Sequence, residues 1–121
     1  MQSVGMESVN CLLMPLDGLH DGVVQVLDTS FAGKPLSLLL VKTASQFCVY
    51  LNQCPHQGRR LDYAPGQFLT KSGTIICAAH GASFNLDSGL CVQGPCRGES
   101  LLALPTELVD GKLQIDVSGV V

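Results

Sequence analysis

No apolar run in this chain approaches the roughly 18 residues that a membrane-crossing helix needs. Its first residues lack a basic segment followed by an apolar stretch and a small-residue cleavage site, so no signal peptide is expected. Basic residues are scarce: 7 Lys and Arg face 10 Asp and Glu, and the net charge of −3 leaves no basic stripe to neutralise nucleic-acid phosphates. Helical periodicity is missing from every stretch of about ten residues or more, and there is no internal repeat or linker. Charged residues make up 14% and hydrophobic ones 46%, which excludes a disordered tail. The expectation is a single domain over residues 1–121 with a modest core, cytoplasmic, bound to neither membrane nor nucleic acid.

The patterning reads as strands and turns. Residues 1–8 carry no periodic signal and suggest a loose N-terminus. Val23 to Leu27 reads as a strand ended by Asp28-Thr29-Ser30, and Leu36 to Val41 as an almost unbroken apolar, buried strand. Thr43-Ala44-Ser45-Gln46 has the look of a hairpin connection, after which Phe47 to Leu51 runs back. Thr74 to Ile76, Ala82 to Asn85 and the alternating Lys112 to Val117 complete the set. Between Asn52 and Gly98 the chain is rich in Gly and Pro and reads mostly as loops.

Within that middle region lie two equivalent segments, Cys54-Pro55-His56 and Cys77-Ala78-Ala79-His80. Each offers one sulfur and one imidazole from a tight turn. Thiolates select zinc or iron–sulfur clusters, and neutral imidazole suits iron, zinc or copper. Gly58 and Gly81 follow the histidines, where a backbone without Cβ can approach a bound group closely. Zinc held tetrahedrally by the same four residues is the competing reading. Finger-type zinc sites pair Cys with Cys and His with His, whereas each segment here mixes the two, which favours a [2Fe–2S] cluster with sulfur on one iron and nitrogen on the other. With no sign of secretion, Cys91 and Cys96 are expected as thiols rather than a disulfide, and Cys48 and Cys11 as small apolar residues.

Cys54-Pro55-His56-Gln57-Gly58, Cys77-Ala78-Ala79-His80-Gly81 and Phe84 to Gly89 together resemble the Rieske iron–sulfur family, and most of all the small Rieske ferredoxins of bacterial oxygenase systems. The likeness extends over about residues 36–117. It implies an all-β fold of stacked antiparallel sheets with a small cluster-binding subdomain, about residues 52–98, made of two loops and a proline loop at Gly94-Pro95-Cys96. It also implies that Cys54 and Cys77 bind the inner iron of a [2Fe–2S] cluster, and His56 and His80 the outer iron near solvent.

Departures from the high-potential branch of that family are informative. The extra Cys of each cluster loop is absent, with Arg59 or a neighbour and Ala79 in its place, and the Ser and Tyr that follow the second histidine are replaced by Ala82 and Phe84. Hydroxyl donors to the sulfurs raise the potential, so a value near the low end, on the order of −150 mV, is expected. The chain has 3 His; His20, in the loop Gly18 to Gly22, cannot by itself build the two-His, one-carboxylate iron of a complete oxygenase. The resemblance therefore implies a non-catalytic electron carrier between a reductase donor and an oxygenase acceptor. Arg59 and Arg60, directly after the first loop, are candidates to meet carboxylates on a partner. The alternative is an auxiliary Rieske-like subunit of a larger redox enzyme such as an assimilatory nitrite reductase.

Overall fold

The computed structural model describes residues 11–16, 19–43, 46–55, 60–61, 69–71, 73–77, 81–94 and 98–120. Among them the regular elements are all strands: β1 (Cys11–Pro15), β2 (Val24–Phe31), β3 (Lys34–Thr43), β4 (Gln46–Leu51), β5 (Leu69–Lys71), β6 (Thr74–Ile76), β7 (Ser83–Asn85), β8 (Cys91–Gln93), β9 (Ala103–Leu104), β10 (Thr106–Val109) and β11 (Lys112–Asp116). They form three antiparallel sheets, ordered β1-β11-β10, β2-β3-β4-β9 and β5-β6-β7-β8. The chain is all-β, as its patterning implied.

β3 explains how the sheets stack. Its Leu36, Leu38 and Leu40 face one way and pack with Val49, Leu104, Leu113, Ile115 and Val117. Its Leu39 and Val41 face the other way and pack with Tyr50, Ile75, Phe84 and Cys91. A strand covered on both sides loses the alternation of a half-buried one and reads as a continuous apolar run. β4 divides its residues in the same fashion, with Phe47, Val49 and Leu51 toward the first core and Cys48 and Tyr50 toward the second. The middle sheet thus supports two cores, one shared with β1-β11-β10 and one with β5-β6-β7-β8.

Two hairpins are closed by two-residue turns in which both residues have positive φ. Ala32 (φ 53°) and Gly33 (φ 82°) join β2 to β3, and Asp110 (φ 51°) and Gly111 (φ 75°) join β10 to β11. That geometry matches the twist of paired strands, and glycine at the second position adopts it without steric cost. Sequence patterning ended β2 at Asp28-Thr29-Ser30, but the strand continues to Phe31. Ladder pairing of Asp28 with Ser37 and Ser30 with Pro35 outweighs the turn preference of those three residues.

Tyr50 ties the middle sheet to the third. Its hydroxyl donates to the Leu86 carbonyl at 2.9 Å. A Cβ on Gly89 would stand 2.8 Å from the Tyr50 Cε1, so only glycine lets the ring lie against that turn. Burial, followed by its hydrogen bond with Cys48, pushes the Tyr50 phenol well above its ordinary value. Above about pH 10, the ordinary phenol value, the unfolded chain loses this proton while the folded one keeps it, so stability falls as pH rises. Tyr50→Phe is expected to cost about 1 kcal/mol near neutral pH through the lost hydrogen bond. It should also flatten the alkaline decline in urea denaturation; an unchanged alkaline slope would show that Tyr50 is not its source.

Candidate functional site

Cys54 and Cys77 arrive from different sheets and end in the same place. Both are fully buried, in the core cluster that also holds Leu61, Ala82, Phe84 and Cys91. Cys54 follows β4 and Cys77 follows β6 directly. His56 and His80 lie outside the described residues, as do Gly58, Arg59, Ala79, Pro95 and Cys96. Among the described residues no group of three or more His, Cys, Asp or Glu is gathered as a metal site.

The first loop is tied at both ends. The Asn52 amide N–H donates to the Ser37 carbonyl at 3.0 Å, fixing the exit from β4 to β3. Its side chain is buried: Nδ2 donates to the Ser37 Oγ at 3.1 Å, and Oδ1 accepts the Leu61 backbone N–H at 2.9 Å. Outside this, Arg60 holds Asp28 of β2 through two parallel bonds of 3.2 Å, Nη1 to Oδ1 and Nη2 to Oδ2. Arg60, a candidate for a partner's carboxylate, therefore engages one of this chain's own. The two ties differ in weight. The Arg60 and Asp28 side chains are 46% and 50% exposed, and such a pair contributes about 0–1 kcal/mol. Stranding the buried Leu61 N–H would cost about 1–3 kcal/mol.

The second loop is the tip of the β6–β7 hairpin. Past the Ile76–Ser83 pair, the Cys77 N–H donates to the Ala82 carbonyl at 2.7 Å and the Gly81 N–H to the Cys77 carbonyl at 2.8 Å. Gly81 makes this closure at φ 73°. Ala82 and Phe84 are completely buried in the core cluster of the two cysteines, and their side chains bring it no polar group. Phe84 therefore serves as core as well.

A third segment touches this tip through backbone. Gly94, at φ 104°, opens Gly94-Pro95-Cys96, and a Cβ there would stand 2.7 Å from the Ala82 Cα. Cys91, on β8, is buried with its Sγ 3.3 Å from the Gln93 carbonyl. Cys48 is half-buried with its Sγ 3.8 Å from the Asp87 carbonyl, and His20 is exposed, as expected of a loop residue. Sequence patterning passed over Asn52 and Tyr50. An Asn just past an apolar strand and two residues before a candidate ligand is a turn-forming signal that could have drawn notice to Asn52.

Two sulfur donors delivered by separate loops into one buried apolar cluster suit a soft-metal group, an iron–sulfur cluster among them. Thiolates buried among apolar side chains need nearby positive charge, and bound iron supplies it. The described residues fit an iron–sulfur group.

Residues 13–111 match the family described as Rieske [2Fe–2S] domain. No curated protein matches the sequence. Among solved structures, a chain of the complex of reduced oxygenase and oxidized ferredoxin in carbazole 1,9a-dioxygenase superposes with a TM-score of 0.67 at 19% identity, covering 88% of this chain and 93% of that one. A chain of the reduced complex between oxygenase and ferredoxin of carbazole 1,9a-dioxygenase gives 0.71 at 16% identity, over 92% of this chain and 30% of that one. The terminal oxygenase of carbazole 1,9a-dioxygenase from Novosphingobium sp. KA1 gives 0.71 at 16% identity, over 93% and 32%. This chain thus spans about a third of the longer chains that it resembles. At these identities the likeness is one of fold.

The Gly94 contact can be separated from backbone strain. Gly98 also has a positive φ, 93°, but nothing lies within 4 Å of where its Cβ would stand. Alanine at either site meets a strain of roughly 1–2 kcal/mol. Gly94→Ala alone also presses on Ala82, so in urea denaturation it is expected to lose at least about 1 kcal/mol more than Gly98→Ala. Equal losses would mean that the close approach does not matter.

Proposed function

This chain belongs to the Rieske [2Fe–2S] domain family, and we propose that it carries single electrons on a cluster held by Cys54 and Cys77 through sulfur and by His56 and His80 through nitrogen. The carrying observation is the convergence of Cys54 and Cys77, which follow strands of two different sheets, in one fully buried core cluster. When bound, a [2Fe–2S] cluster supplies a centre that accepts and releases one electron. The protein's residues do the rest. Asn52 and the Cys77–Ala82 hairpin tip hold the two loops, and Leu61 and Phe84 help keep water from the sulfurs.

Electrons would pass from a reductase to an oxygenase, in the cytoplasm. Support comes from the fold's recurrence in ferredoxin–oxygenase complexes of carbazole 1,9a-dioxygenase, where one chain is matched over 93% of its length. The same fold as about a third of longer chains favours a second reading, a permanently held component of a larger redox enzyme. Size-exclusion chromatography of native extract separates the two: a carrier elutes alone, a component with its partner. Among the described residues no helix is long and apolar enough to cross a membrane.

Purified anaerobically, the protein is expected to be coloured, with two irons and two sulfides per chain (a ratio set by the cofactor) and an electron paramagnetic resonance signal on reduction. Cys54→Ser and Cys77→Ser should abolish that signal; a colourless protein containing one zinc would end this reading. With Ala82 and Phe84 contributing no hydroxyl, the midpoint should lie on the order of −150 mV. Ala82→Ser is expected to raise it; a wild-type midpoint well above zero would rule out the low-potential assignment.

A further inference from the structure

We propose that Asn52 is a positioning residue for the cluster: by clamping the Leu61 amide it fixes the wall beside Cys54, and so sets the electronic environment of the metal. The inference rests on the electron-carrier reading above and deepens it.

Asn52 is 2% exposed, which is unusual for a side-chain amide unless its position is demanded. Its bonds run to parts of the chain that are remote in sequence. Backbone N–H and Nδ2 both go to Ser37, on the central strand β3, and Oδ1 goes forward nine residues to Leu61, across the segment containing Cys54 and His56. Ser37 is thus the anchor and Leu61 the load. Leu61 is itself fully buried beside Cys54 and Cys77, so movement of its backbone is movement of the wall around the sulfurs. The outer Arg60–Asp28 pair reaches the same loop but stands in solvent, where salt screens it. Of the two ties, the buried amide alone holds the loop independently of ionic strength.

A purely structural role and a positioning role make different demands on two substitutions. Ser37→Ala removes the anchor bond to Nδ2 and leaves the Leu61 clamp. Asn52→Val removes both of these side-chain bonds. Each is made in the cluster-loaded protein and measured for melting temperature, midpoint potential, electron paramagnetic resonance g-values and hydrogen exchange of the peptide spanning 52–61. Both should melt at lower temperature. Asn52→Val alone should shift the midpoint and the g-values, with exchange at Leu61 faster by about tenfold or more, as expected when one buried hydrogen bond is lost. Where Asn52→Val does not yield folded protein, Asn52→Ser, which leaves room for a bridging water, carries the same comparison.

An Asn52 variant with wild-type g-values and midpoint would overturn the proposal, whatever its melting temperature. So would equal spectroscopic shifts in Ser37→Ala. Failure of the underlying carrier reading would show separately, as the absence of any iron–sulfur signal in the wild-type protein.

Discussion

Burial of β3 on both faces is the constraint from which this architecture follows. A strand that alternates leucines between two cores obliges a sheet to lie on each side of it, and the first and third sheets meet that demand. The second core is the one that matters chemically, because Leu39, Val41 and Tyr50 form its floor and Cys54 and Cys77 lie within it. The sulfurs therefore belong to the hydrophobic interior, fixed by packing on one side and by short closed loops on the other. A half-exposed central sheet would leave those loops with nothing rigid to stand on.

The loops use different chemistry for the same end. Among the described residues the second is closed by backbone hydrogen bonds, as the tip of a hairpin with a glycine at positive φ. In the first, the Asn52 side chain bridges from the end of β4 to Leu61. Gly94 then brings a third segment against the second loop by the absence of a side chain. Rigidity around the sulfurs thus comes from a few specific polar bonds and one close backbone approach, added to general apolar packing.

Much of this was legible in the sequence. The unbroken run Leu36 to Val41 announced the two-sided strand, the alternation Lys112 to Val117 announced β11, and the mixed Cys/His segments pointed to the cofactor class before any geometry was known. Other elements were not legible, for physical reasons. β8, β9 and β10 span two to four residues each, with Pro105 interrupting the last pair, and such stretches are too short for periodicity to register. Asp28-Thr29-Ser30 carries turn propensity that only the facing residues of β3 overrule. Asn52 gains its role from Ser37 and Leu61, fifteen and nine residues away, and no local pattern encodes that.

The two cores differ in one respect that bears on how substitutions reach the cofactor. The core between the first and middle sheets, with Leu38, Leu40, Val49, Leu113 and Ile115 at its centre, contains no cysteine and no candidate ligand among the described residues. Every described sulfur assigned to the cofactor lies in the other. The residues assigned to the cofactor are thus confined to one side of the middle sheet, while the other side is packed by apolar side chains. A substitution in the first core therefore acts on the cofactor only through the shared strands β3 and β4, whereas one in the second core meets the sulfurs' own surroundings.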